Sequence, residues 1–248
     1  MKLPQQARAS VGVCVILLAW HLSTSKNNVL TPPLNDVLWS FLELLRSRIL
    51  LKDAFASLFR VLAGVAISSL LAAVLGLVAV YWRSFPDYLS GGIELFRPIP
   101  PIAWTPLAIV AFGVGTQPAI AIVALGAFFP IWLGIQQGLM EVKRSHILAA
   151  ESFGCGKLLQ LTDVIVPSAL PYAFHGLRLG VGLGWFCVVA AEMMGASSGL
   201  GYGIQLFSLN IEMEKLYSYL LVIGMLGYVS NFLLQRIDLR LSHWRDDG

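Results

Sequence analysis

Apolar runs long enough to cross a bilayer constrain this chain more than any other feature. A helix needs about 20 mostly apolar residues to cross roughly 30 Å of hydrocarbon. Six stretches meet or approach that length: Ala9 to Ser23, Leu58 to Trp82, Tyr88 to Phe112, Pro118 to Met140, Tyr172 to Gly195 and Tyr217 to Leu234. The first is short, and prolines interrupt the third. Lipid offers no partner to a free backbone N–H or C=O, so each run must satisfy its own peptide groups as a helix. The expected fold class is an all-α integral membrane protein of about six transmembrane helices.

Composition agrees. Hydrophobic residues make up 57% of the 248 and charged ones 12%, against about 25% charged in an ordinary soluble domain. Too few charges remain to cover a soluble surface, so membrane lipid is the expected solvent. Net charge is only +3, and the basic residues fall between the apolar runs rather than in one aromatic-lined patch, which argues against nucleic acid as a partner. Cys14, Cys155 and Cys187 form no CxxC pair and no zinc-type cluster, so free thiols and no metal are expected. Lys2, Arg8 and the apolar stretch Val11 to Trp20 look like a signal peptide. No small-residue cleavage site precedes Lys26, so an uncleaved first helix is expected.

The chain divides into three regions. Residues 1–53 hold the first span and, after the breaker Thr31-Pro32-Pro33, a helix from Asp36 to about Leu51 with Asn35 as its cap. Its Trp39, Leu42, Leu45 and Ile49 recur at helical spacing beside Glu43, Arg46, Arg48 and Lys52, the pattern of a helix lying in the membrane interface. Residues 54–240 are the transmembrane core, with a polar insertion at 141–171, and 241–248 are a cytoplasmic tail. Basic residues in short loops mark the inner side. With both termini inside, that side collects Lys2, Arg8, Arg83, Lys143, Arg144, Lys157, Arg178, Arg236, Arg240 and Arg245. The outer side then carries the smaller set Lys26, Arg46, Arg48, Lys52, Arg60 and Lys215.

The insertion from Glu141 to Pro171 is the most informative segment. Ala149 and Ala150 give a short helix a bare face, Gly154 allows a sharp turn, and Pro167 is expected to stop the helix after that turn. A helix, a turn and a second helix make a knob that a partner groove could grip.

This stretch is similar to the loop that binding-protein-dependent ABC importer permeases insert into their ATPase partner. There Glu-Ala-Ala is followed after three residues by Gly, and after nine more by Ile, one residue, Leu and Pro. Ala149, Ala150, Gly154, Val164, Val166 and Pro167 fill that pattern; Leu148 replaces the leading Glu, and Glu151 is the acid that stands near it. Arg97-Pro98-Ile99-Pro100-Pro101-Ile102-Ala103-Trp104 through Pro106-Leu107 and Phe112-Gly113 resembles the third helix of permeases in the nitrate, sulfonate and taurine branch. So does Ala191-Glu192-Met193-Met194-Gly195-Ala196-Ser197-Ser198-Gly199-Leu200-Gly201-Tyr202.

The resemblance runs from about Leu30 to Leu234. It implies a type I ABC importer permease fold in a bacterial inner membrane and a cytoplasmic coupling helix, with Leu148, Ala149, Ala150, Glu151, Gly154 and Pro167 as the ATPase-coupling residues. It also implies a second permease copy, two ATPase subunits and an extracytoplasmic solute-binding protein as partners. ATP and Mg would be held by the ATPases, with no cofactor on this chain, which is then a transport subunit and not an enzyme. The implied action is alternating access for a small anion of the sulfonate, taurine or nitrate class.

Candidate path residues come from irregular backbone and buried charge. Pro98, Pro100, Pro101 and Pro106 free helical carbonyls that must face protein or a water-filled cavity. Arg97 and Glu192 stand in apolar surroundings where insertion costs about 2.5 to 3.5 kcal/mol for Arg or Asp. Arg97 could meet an anion beside Pro98, Pro100 and Trp104, or pair with Glu94 one turn away. Glu192 suits a structural hydrogen bond or a gate contact. Ser197-Ser198-Gly199-Leu200-Gly201 could cradle an oxyanion with backbone N–H groups or serve as a flexible re-entrant turn beside an outer gate. Gly180, Gly182 and Gly184 suit close helix packing.

Other chemistry has little support. Gly154-Cys155-Gly156-Lys157 resembles part of a phosphate-binding loop, but Glu151 and Leu158 occupy positions that need Gly and Ser or Thr. His21, His146, His175 and His243 are scattered. The rival function is an ion-gradient-driven secondary transporter, which calls for an inverted repeat and buried carboxylates; the sequence shows no evident repeat and few such acids.

Overall fold

The computed structural model describes Leu18, Trp20, Thr24 and residues 30–82 and 84–241. The expected first span therefore lies, apart from Leu18 and Trp20, outside the described residues, as does the tail beyond Leu241. The order is α1 (Leu34–Arg46), α2 (Ile49–Tyr81), α3 (Phe85–Phe96), a 3-10 turn (Pro101–Trp104), α4 (Thr105–Phe112), α5 (Thr116–Met140) and α6 (Arg144–Ser152). Next come α7 (Lys157–Gln160), a π turn (Leu161–Ile165), α8 (Val166–Gly195), α9 (Leu200–Leu209) and α10 (Met213–Leu241). Among the described residues four helices are long and apolar enough to cross a membrane: Ile49–Tyr81, Thr116–Met140, the continuous run Lys157–Gly195, and Met213–Asp238.

Several expectations change. The segment Tyr88 to Phe112 is not one span: α3 ends at Phe96, Arg97 to Pro100 carry the break, and the chain resumes as a 3-10 turn and the short α4. Four prolines in nine residues remove the amide donors a continuous helix needs. The helix expected from Asp36 to Leu51 divides at Arg48, whose φ of 61 ends α1 and starts α2, nine residues before the expected Leu58. Pro33, not Asn35, occupies the position before α1, and no side chain caps it. Pro167 stops nothing. It stands in the first turn of α8, where the π turn before it leaves the helix unbroken from Lys157 to Gly195.

The core is the antiparallel pair α5 and α8, with α2 against α5. Small residues set the approach. A Cβ on Gly134 would lie 2.6 Å from the Tyr172 carbonyl, one on Gly138 2.7 Å from the Ala169 carbonyl, and one on Gly176 2.5 Å from the Pro130 carbonyl. In lipid, where apolar side chains gain little from leaving solvent, such backbone proximity is what holds helices together. Gly180 is similarly tight against Ile131, Gly184 makes ordinary contact with Val123 and Val65, and Gly182 faces open space. Ser68 adds an interhelical bond from α2, its hydroxyl donating to the Ala124 carbonyl at 2.6 Å.

On α1 the inward residues are Val37, Ser40 and Leu44. Trp39, Leu42 and Leu45 are exposed, so this helix presents an apolar face away from the bundle. Trp20 fastens the preceding segment, its indole N–H donating to the Pro32 carbonyl and its ring lying 4.8 Å from Tyr217.

Candidate functional site

The α5–α8 pair has two ends of different construction. At the Met140 end, α6 closes on Gly154, which adopts φ 77. The Cys155 N–H donates to the Ala150 carbonyl at 3.0 Å and the Gly154 N–H to the Glu151 carbonyl at 2.9 Å, the paired bonds of a Schellman turn that only a left-handed residue completes. The Gln160 amide then donates to the Cys155 carbonyl at 2.9 Å and ties α7 to the turn. No residue of α6 or α7 is buried. Leu148, Phe153 and Leu158 are exposed, Phe153 at 86%; Ala149 and Glu151 are exposed and Ala150 is half-buried. The geometry is a closed, stiff hairpin with an uncovered apolar surface. Pro167 lies beyond it, at the foot of the span.

At the Gly195 end, one guanidinium gathers four segments. Arg60 Nη1 donates to Glu192 Oε1 at 2.6 Å and to the Ser198 carbonyl at 2.6 Å; Nη2 donates to Thr116 Oγ1 at 3.2 Å and Ser198 Oγ at 3.1 Å. Arg60 is 2% exposed and Glu192 0%. The first amides of α9 are taken up by side chains of other helices. The Gly199 N–H donates to Asp53 Oδ1, the Leu200 N–H to Ser57 Oγ and the Gly201 N–H to Glu192 Oε2, each at 2.8 Å. The Tyr219 hydroxyl of α10 donates to Asp53 Oδ2 at 2.8 Å. Two carboxylates are thus placed at a helix N-terminus, where the backbone dipole favours negative charge.

Of the expected path residues, the knot brings Glu192 and Ser198 together and leaves the others apart. Ser197 is exposed beside it, and Arg97, Pro98 and Pro100 are exposed on the broken segment, where Trp104 packs on Phe96 at 6.1 Å. The Glu94–Arg97 pair does not form, whereas Arg60–Glu192 and Lys215–Glu212 do. The stretch from Ser197 to Gly201 does cradle oxyanions, but they are the chain's own Asp53 and Glu192. Its glycines serve contact rather than flexibility: a Cβ on Gly199 would meet the Glu192 carboxyl and Arg60, and one on Gly201 the Val189 carbonyl.

Sequence reasoning missed Asp53, Ser57, Arg60, Thr116 and Tyr219. The available signal was Arg60 itself, the one charge in the run Leu58 to Trp82. Among the described residues no three His, Cys, Asp or Glu side chains group as metal ligands.

Comparison with known proteins decides the class. Residues 64–243 match the family described as binding-protein-dependent transport system inner membrane component. The chain belongs to this family. The permease is 37% identical over 227 residues, covering 92% of this chain and 91% of the relative, to a probable ABC transporter permease protein of Brucella abortus (strain 2308). It is 29% identical over 254 residues (99% of this chain, 92% of the relative) to the taurine transport system permease of Escherichia coli (strain K12). It is 30% identical over 236 residues (94% and 85%) to a putative aliphatic sulfonates transport permease of Bacillus subtilis (strain 168). Its fold is similar to a chain in inward-facing structures of the MetNI methionine ABC transporter, with TM-score 0.67 and 19% identity over 79% of this permease and 97% of that chain. It is a transport subunit of an inner membrane importer.

Proposed function

We propose that this permease moves a small anion of the sulfonate, taurine or nitrate class inward by alternating access driven by ATP. The relatives named for taurine and aliphatic sulfonates support the solute class, together with a nitrate import permease of Synechocystis at 29% identity over 210 residues. Two ATPase subunits, which hold ATP and Mg, dock on the hairpin of Leu148, Ala149, Ala150, Glu151 and Gly154. A second permease copy completes the path and an extracytoplasmic binding protein delivers the solute. Both termini then lie in the cytoplasm and the Arg60 knot faces outward.

The observation that carries this reading is the hairpin: stiffened by its own hydrogen bonds, joined continuously to a span, and holding no buried residue. Such a surface gains from a partner's groove. The two buried acids, Asp53 and Glu192, do not favour an ion-driven carrier, because the chain's own donors occupy both.

The test is uptake of labelled taurine, ethanesulfonate and nitrate by the permease reconstituted with the ATPase and binding protein encoded alongside it. Gly154→Leu should insert normally yet lose uptake, through failed assembly or uncoupled hydrolysis, and normal transport by it would overturn the docking assignment. Arg97→Ala should impair uptake without impairing assembly; unchanged uptake returns Arg97 to a structural role.

A further inference from the structure

Resting on the transporter reading, we propose that Arg60 is a positioning residue that keeps α9 and the Gly195 ends of α2, α5 and α8 as one rigid body through the whole transport cycle, a closed clasp rather than a gate. Three observations converge on this. First, the guanidinium holds Glu192 of α8, Thr116 of α5 and both the carbonyl and hydroxyl of Ser198, so it cannot leave one partner without releasing the rest. Opening would strand charges that are 2% and 0% exposed at Arg60 and Glu192, and an unpaired buried charge is among the most destabilising features a fold can contain.

Second, the first three amides entering α9 each bind a side chain of α2 or α8. A slide of α9 by one residue breaks all three at once. Third, the contacts have no slack, since Gly199, Gly201 and Gly203 meet Glu192, the Val189 carbonyl and Tyr219 so closely that no Cβ fits. Parts that move in a working cycle are drawn from the weakly held end of a structure. The knot, whose guanidinium joins four segments, does not have that character.

Amide hydrogen exchange on the full chain in nanodiscs tests the clasp without any partner. In Arg60→Met the amides of 199–209 should exchange at least about tenfold faster while those of 126–138 keep their protection, and Arg60→Lys, which keeps the charge, should fall between. Equal protection in Arg60→Met, or loss spread evenly over both segments, overturns the clasp. In the complex assembled with ATPase and binding protein, the Gly199, Leu200 and Gly201 amides should stay as protected during ATP turnover as at rest. Faster exchange under turnover makes the knot a gate and overturns the proposal. Absence of ATP hydrolysis by the complex instead sinks the transporter reading, and with it the cycle the clasp is said to span.

Discussion

At the Gly195 end of the α5–α8 pair, side chains of α2, α5, α8 and α10 and the first amides of α9 share one guanidinium and two carboxylates out of solvent. At the Met140 end, a hairpin with exposed Leu148, Phe153 and Leu158 buries none of its residues. The difference lies in what each end lacks. Both carboxylates and both terminal nitrogens of Arg60 find partners inside the knot, though Arg60 Nε does not, so a rearrangement strands further polar groups. The hairpin's hydrogen bonds close within itself and cover none of its exposed apolar side chains, so that surface remains available to another protein.

The strongest challenge to this contrast is Glu192→Leu, which leaves Arg60 buried and unpaired. It should cost about 3–5 kcal/mol, read as a fall in the denaturation midpoint in micelles. The double variant Arg60→Met/Glu192→Leu should recover a large part of that loss. If single and double are equally unstable, shape rather than stranded charge holds this end together. Gly203→Ala drives a methyl into the Tyr219 ring and should cost about 1–3 kcal/mol with uptake falling in proportion to the folded fraction. A variant as stable as wild type would mean that α9 has room to shift.

A Cβ at Gly154 meets no neighbour within 4 Å, but Gly154→Leu must adopt φ 77. It should lose only about 1–2 kcal/mol yet lose transport altogether, so activity and stability part at the hairpin. A variant whose uptake merely tracks its stability would erase the distinction between the two ends. Phe153→Ser should stay within about 0.5 kcal/mol of wild type and weaken retention of the ATPase on an affinity column. Undiminished retention would remove Phe153 from the docking surface. The smallest effect is expected at Ile211, an exposed β-branched residue at φ 59 between α9 and α10. Ile211→Gly should raise the thermal midpoint by less than about 1 kcal/mol equivalent, the relief of left-handed strain less the added freedom of glycine. A lower midpoint would show that the turn needs the isoleucine side chain.

Features that depend on neighbours in the chain were legible. Apolar length marked α2, α5, α8 and α10, and Gly154 announced a turn whose hydrogen bonds close within six residues. Features that depend on distant partners were not. Arg60 read as one of several outer charges and Asp53 drew no reading, because their partners lie 132 and 146 positions away. The Ser197 to Gly201 stretch carried the right chemistry, backbone N–H groups for oxyanions, but nothing in its own composition says that those oxyanions belong to the chain. Proline misled in one place and informed in another. Between Arg97 and Pro106 several act together and the helix breaks, whereas Pro167 stands in the first turn of α8, behind the π turn, and the helix continues.

That widened turn, Leu161 to Ile165, also fixes the compass bearing of the hairpin. An α-helix advances about 100° per residue, so the extra residue held in a π turn swings everything on its far side by roughly that angle about the helix axis. The direction in which Leu158 and Phe153 look around the axis of α8 is therefore indexed by one residue of that turn.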